Sequence, residues 1–348
     1  MNLLLPVGGL SSRYPGVRPK WMLTHPSGDL MILKSIEGIN IDDFKNIFII
    51  ALQQHEDEYK FSDGVLESFS KKYPNISTKI ILLKNPTSSQ PETVYCGIKK
   101  ENISGFICIK DCDNFFNIHV KPINFIAFCN LEKNVNVKAA NKSYIQINEF
   151  GLLENIVEKK VISPFFSCGA YGFVNAELFV EYYEACKNND NLYLSHIMYR
   201  MLLDSKQIAV CESENYKDWG TLEDWKNYTS DYKTYFVDID GVLVQNSSQY
   251  FFPRWGQSDP IIENINKINE LYDSGKCQII LTSARKESFR EQTEKQLNKS
   301  GLRYHSLILG LLHGQRIVIN DFSNTNSYPS CKAVNIERNS NNLKKYIE

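Results

Sequence analysis

The sequence has almost no net charge: Lys and Arg together nearly balance Asp and Glu, leaving −1 at pH 7. Binding to a nucleic-acid backbone or an anionic membrane normally needs a clear cationic excess, so neither partner is expected and small ligands are favoured. Long apolar runs are missing too. The N-terminal run, Met1 to Leu5 with Asn2 inside it, goes straight into a glycine turn. It is too short for a signal peptide or a membrane span and reads as a buried strand. The cysteines number nine, an odd count, and show neither a CxxC pair nor a His/Cys cluster at zinc spacing. No disulfide framework or structural zinc follows, and a reducing compartment, the cytoplasm, is the expected location. Internal repeats are absent, and nothing in the sequence decides between a monomer and a homo-oligomer.

What is present is an alternation of strand and helix patterns. Apolar runs at Asn46 to Ala51, Lys79 to Leu83, Gly105 to Ile109, Thr234 to Val237 and Gln278 to Leu281 imply βαβ units and a mainly parallel sheet. A chain of 348 residues exceeds what one core usually serves, so two domains are expected. Between Trp225 and Lys233 the composition turns polar before a fresh strand opens at Thr234, which places the boundary near residue 230.

The first chemical constellation is Leu3-Leu4-Leu5-Pro6-Val7-Gly8-Gly9-Leu10-Ser11-Ser12-Arg13, continuing to Arg18-Pro19-Lys20. A strand followed by glycines lets backbone N–H groups approach a phosphate chain, and Arg13 and Lys20 add positive charge. Alone, the glycine pair reads equally as an ordinary βα turn. Further on, Asp111 and Asp113 lie two apart after a strand, a spacing that turns both carboxylates to one face of an extended segment. Carboxylates at the carboxyl end of a parallel strand sit where α/β sheets bind ligands, although a turn-forming Asp is common there as well.

The opening motif resembles that of the nucleotidyltransferases that make nucleotide-sugars, with Ser11 standing where that family commonly has glycine. The order of later segments extends the resemblance. Ser89-Gln90-Pro91-Glu92-Thr93-Val94 resembles the base-contacting segment, and Phe106 to Asn114 the strand ending in acidic metal ligands. Glu158-Lys159, followed by Ser167 to Phe173 with Gly169, resembles the acceptor-binding stretch, and Asp218-Trp219-Gly220-Thr221 the Asp-x-Gly-Thr signature. On the residues alone Lys159 reads equally as a solvated lysine. Thr221 with Asp224 is also a plain helix start. The resemblance implies transfer of a nucleotidyl group from a nucleoside triphosphate to a phosphorylated sugar or polyol, with pyrophosphate leaving. It implies nucleotide contacts from Pro6, Val7, Gly8, Gly9, Arg13 and Gln90, and acceptor contacts from Glu158, Lys159 and Gly169. Mg²⁺ would lie on Asp113 and Asp218, with Asp111 a further candidate, and Lys20 and Arg13 would neutralise the charge developing on the phosphates.

The second constellation is Tyr235-Phe236-Val237-Asp238-Ile239-Asp240-Gly241. An apolar strand ending in Asp-x-Asp suits phosphoryl transfer through a carboxylate nucleophile with a neighbouring acid and base. A calcium-type loop is the other reading of the same residues. The pattern resembles the first motif of haloacid-dehalogenase-like (HAD-like) phosphatases. Thr282-Ser283-Ala284-Arg285 is similar to their phosphate-binding hydroxyl strand, and Gly314 to Asp321 to the segment with the third-motif cation and the last acid, where Arg316 stands in place of the usual lysine. The resemblance implies that Asp238 and Asp240 are catalytic, Thr282, Ser283 and Arg316 bind phosphate, and Asp238, Asp240 and Asp321 hold Mg²⁺. The expected fold class is α/β in two domains, a Rossmann-like mixed-sheet nucleotidyltransferase fold over residues 1–229 and a smaller capless HAD-like fold over 230–348. The combination suits synthesis of surface polysaccharide precursors such as capsule. The alternative is a silent HAD-like module for binding or oligomerisation beside an active transferase.

Overall fold

The computed structural model describes residues 1–9, 14, 16–134, 137–321 and 330–347. Arg13, with Leu10, Ser11 and Ser12 of the glycine loop, lies outside the described residues. The chain divides into two compact units, Met1–Trp225 and Lys226–Glu348. The helix Leu222–Ser230 runs across the division, so the polar stretch after Trp225 is mostly helical and not an extended linker. Its start explains this. Thr221 Oγ1 accepts the Asp224 N–H at 3.2 Å while Asp224 Oδ2 accepts the Thr221 N–H at 3.1 Å, a reciprocal cap that offsets the modest helix propensity behind it.

In chain order the strands of the first unit are β1 (Asn2–Pro6), β2 (Asn46–Leu52), β3 (Ser77–Leu83), β4 (Ile107–Lys110), β5 (Asn114–Asn117), β6 (Phe125–Asn130), β7 (Ser143–Ile147), β8 (Leu153–Glu158), β9 (Phe165–Phe173), β10 (Ala209–Glu212) and β11 (Glu214–Asp218). Among the described residues the main sheet has the order β10-β6-β9-β4-β1-β2-β3, with β7 and β8 attached beside β9. β1 pairs parallel with β2 and β4, and β2 with β3. β9 is antiparallel to both β4 and β6, so the sheet is mixed and its parallel run ends at β4. The unbroken apolar character of β1 follows from burial on both faces: Leu3 and Leu5 join one core, with Ile47, Ile49 and Phe116, and Leu4 joins the other, with Ile50, Val94 and Ile109. β5 and β11 form a separate antiparallel pair.

The second unit contains β12 (Lys233–Asp238), β13 (Cys277–Thr282) and β14 (Ser306–Ile308), all parallel in the order β12-β13-β14. The helices Ile262–Asp273 and Arg290–Lys299 connect them, and Val237, Ile239, Ile265, Ile268, Ile279, Leu281 and Leu297 make the core. No helix among the described residues is long and apolar enough to cross a membrane.

Candidate functional site

β1 and β4 run parallel, so the loops after them open at one end of the sheet, and the first group of polar side chains gathers there. After β1, Val7 donates its N–H to the Ile50 carbonyl at 2.8 Å and Gly8 passes close to Thr93, where a Cβ would stand 3.1 Å from its methyl. The chain returns to the site at Tyr14, whose buried hydroxyl bonds to the Trp219 carbonyl. Lys20 opens a short 3₁₀ turn, Lys20–Met22, and its ammonium pairs with Asp113 Oδ2.

Asp111 and Asp113 lie beyond the end of β4, and their partners differ. Asp111 Oδ1 accepts a hydrogen bond from Gln90 Nε2 at 2.5 Å, and its N–H reaches the Gly169 carbonyl at 2.8 Å. Burial, and then the charge of Asp113, raise the Asp111 carboxyl above the ordinary value for aspartate. Gln90 is thus held by a carboxylate at the first turn of the helix Gln90–Glu101. Just before Asp111 comes Lys110, fully buried, with its ammonium bonded to the Asp111 carbonyl at 2.6 Å and to the Asn114 side chain. Desolvation lowers its pKa. This lysine ties down the turn that presents Asp113.

Asp218 comes to the same region through β11. It sits opposite Asn114 in the β5–β11 ladder, and the next N–H, of Trp219, donates to the Asp113 carbonyl at 2.9 Å. Asp218 Oδ1 accepts the Gly220 N–H at 3.0 Å, and its Oδ2 is 2.6 Å from Lys142 Nζ. Lys142 also bonds Tyr216 Oη at 2.7 Å. Asp113 and Asp218 therefore stand on neighbouring backbone positions, each facing a lysine.

Of the residues expected at the acceptor, Glu158 takes hydrogen bonds from Ser143 and, at 2.7 Å, from Ser195 Oγ. Lys159 has a positive φ of 55°, and its ammonium lies 2.5 Å from Tyr193 Oη and 4.4 Å from that ring's centroid. The contacts described for it go to Tyr193 and not to an acidic residue of the site. The spacing of the sequence assigns no role to Tyr14, Lys110 or Lys142. Lys110 had the nearest thing to a signal, a lysine inside an apolar strand. Lys142 had none, because only the pairing of β7 with β8 and of β5 with β11 brings it here.

In the second unit Asp238 ends β12 opposite Thr282 at the end of β13. Asp240 is held from three directions: Arg285 Nε and Nη2 bond its two oxygens at 2.8 and 2.9 Å, Ser247 Oγ lies at 2.7 Å and Ser283 Oγ at 3.4 Å. Arg285 is completely buried, its two Nη1 donors being taken by Thr293 and Gln296. Burial raises the Asp238 carboxyl, opposed by the charge of Arg316 at 3.6 Å. Thr282, Ser283, Asp238, Asp240 and Arg316 thus come together. Among the described residues Asp321 makes other contacts: its N–H donates to the Asn320 side chain and its carbonyl accepts from Ser330. Residues 309–321 before and including it lie in neither helix nor strand, and Ile317, Val318 and Ile319 are exposed although apolar. Among the described residues no three His, Cys, Asp or Glu side chains are gathered for a metal ion, which holds for Asp111, Asp113 and Asp218 as it does for Asp238, Asp240 and Asp321; Asp240 has both oxygens on Arg285.

No family model matches the chain, and no curated protein matches it. Among solved structures it is similar to a nucleoside-diphosphate-sugar pyrophosphorylase from Vibrio cholerae RC9, with a TM-score of 0.55 and 18% identity over 65% of this chain and 98% of that one. It is similar also to the inositol-1-phosphate CTP transferase from T. maritima, with a TM-score of 0.52 and 10% identity over 64% and 90% of the two chains. A UDP-glucose pyrophosphorylase complexed with UDP-glucose gives a TM-score of 0.50 and 14% identity over 64% and 95%. At these identities the likeness is one of fold: about two thirds of the chain has the Rossmann-like mixed α/β fold of nucleotide-sugar pyrophosphorylases and related nucleotidyltransferases.

Proposed function

We propose that the chain is a bifunctional enzyme whose first unit transfers a nucleotidyl group from a nucleoside triphosphate to a phosphorylated sugar or polyol, releasing pyrophosphate. The observation that carries this reading is the convergence of Lys20, Asp113 and Asp218 at the open end of a sheet of the pyrophosphorylase type. Asp113 and Asp218 offer hard carboxylate oxygens already facing the positive charges of Lys20 and Lys142, a donor set that suits Mg²⁺. Bound there, Mg²⁺ would neutralise phosphate charge.

The chain's own residues do the positioning. Backbone N–H groups at Gly8 and Gly9 approach the phosphates, Arg13 holds the triphosphate tail, and Lys20 stabilises charge at the α-phosphorus. Pro6, Val7 and Gln90 border the nucleoside. The acceptor's phosphate oxygen is itself a competent nucleophile, so no residue must remove a proton. Glu158, Lys159 and Gly169 border the acceptor.

The second unit is read as a phosphatase acting in the same pathway, one that supplies precursors of a surface polysaccharide. Asp238 would attack phosphorus, Asp240 would donate and accept the proton, and Thr282, Ser283 and Arg316 would hold the phosphate. A second reading, a silent module, is favoured by one observation: among the described residues Asp321 is not gathered with the other two acids. Each reading is open to measurement. Four common triphosphates with a panel of phosphorylated sugars and polyols should give pyrophosphate release with at least one pair; release with none sinks the transferase. Mg²⁺-dependent phosphate release that disappears in Asp238→Asn supports the phosphatase, and no release by wild type from any sugar or polyol phosphate supports the silent module.

A further inference from the structure

Lys142 and Lys159 face each other across the start of the β7–β8 ladder, where the Lys159 N–H donates to the Lys142 carbonyl at 3.0 Å. Their side chains then part. Lys159, with its left-handed backbone, lies on the ring of Tyr193, next to the helix Leu194–Leu203. Lys142 lies between the rings of Tyr216 and Phe166, 5.1 and 5.9 Å from their centroids, with its ammonium on Asp218. Both members of this pair are largely sheltered, at 14% and 18% exposure, so the contact is stronger than a surface ion pair. An ammonium has three donors, and the contacts described for Lys142, Asp218 and the Tyr216 hydroxyl, take two.

We infer that Lys142 is an exchangeable cation of the transferase site. In the empty site it neutralises Asp218; once a divalent ion takes that carboxylate, the ammonium, still anchored by Tyr216, turns to the phosphate monoester of the acceptor. The argument is one of charge. Asp218 cannot give its Oδ2 to a divalent ion and to an ammonium with equal strength, and a released ammonium still bonded to the Tyr216 hydroxyl is a ready anion contact. The inference rests on the reading of Asp113 and Asp218 as the metal ligands.

The test uses the full chain and two simple probes. Mn²⁺ alone, titrated by electron paramagnetic resonance, is expected to bind Lys142→Met about three- to tenfold more tightly than wild type, because a competing cation has been removed. It should bind Asp218→Asn more weakly. Inorganic phosphate, added at saturating Mn²⁺ in an Asp238→Asn, Arg316→Met background that disables the second unit's phosphate pocket, is expected to raise the melting temperature with Lys142 or Lys142→Arg but not with Lys142→Met. Circular dichroism of each variant checks that it is folded; if Lys142→Met is not, Lys142→Gln takes its place. Equal or weaker Mn²⁺ binding by the methionine variant, or an undiminished phosphate response, overturns the inference while leaving the metal ligands intact. Absence of Mn²⁺ binding by wild type overturns the metal reading and the inference with it.

Discussion

A methyl group at Gly169 would fall 2.3 Å from Asp111 Oδ2 and 2.8 Å from its Cγ, on a backbone with φ of +94°. Both the clash and the left-handed conformation oppose any side chain there. Gly169→Ala is expected to cost about 2 kcal/mol or more in urea unfolding and to lower pyrophosphate release; a fully stable variant would show that Asp111 has room to move. His25 gives a pH signature. Burial, with a smaller push from Lys34, takes its imidazole from 6.5 down to about 4, beside Trp219 and Trp225. The folded chain therefore holds this proton less tightly than the unfolded one. The stabilisation is complete above pH 6.5 and fades as pH falls from 6.5 towards 4, by about 3 kcal/mol in all. The melting temperature should fall less between pH 7 and 5 in His25→Gln than in wild type. At this scale the sequence was legible in which residues lie together, Lys20 with Asp113 and Asp238 with Thr282. It was illegible at Lys142, whose neighbours Asp218 and Tyr216 are more than 70 positions away and meet it only through sheet register.

Among the elements, β12 and β13 depend on one buried clamp. Arg285→Met would leave the Asp240 carboxylate without its guanidinium fork, and unfolding of the second unit is expected to become easier by about 3 kcal/mol. A change below about 0.5 kcal/mol would mean that Ser247 and Ser283 suffice. Removing the reciprocal cap by Thr221→Ala should cost about 1 kcal/mol by the same measurement. β2 was legible because burial on both faces demands an almost uninterrupted apolar run, and β13 because Cys277, Ile279 and Leu281 alternate onto one buried face. The helix across residue 225 was not, since its cap outweighs a composition that reads as a linker. The stretch from Gly314 to Asp321 misleads in the opposite sense: Ile317 to Ile319 would suit a core, yet no strand pairs with them among the described residues.

At the level of the whole molecule, two candidate sites in two compact units imply two losses that can be separated. Asp113→Asn should abolish pyrophosphate release and spare phosphate release, and Asp238→Asn should do the reverse; parallel assays of both products on both variants check this, and a variant that loses both activities would tie the sites to each other. The mixed sheet has a further consequence for how the protein is made. Its middle is closed by β9, which is antiparallel to both neighbours and enters the chain only at Phe165–Phe173. During synthesis β1 to β4 emerge long before it, so a nascent chain shorter than about residue 165 exposes the bare edge of β4, rich in unpaired amide groups. Late closure of this kind leaves the central sheet incomplete until the chain has passed Phe173.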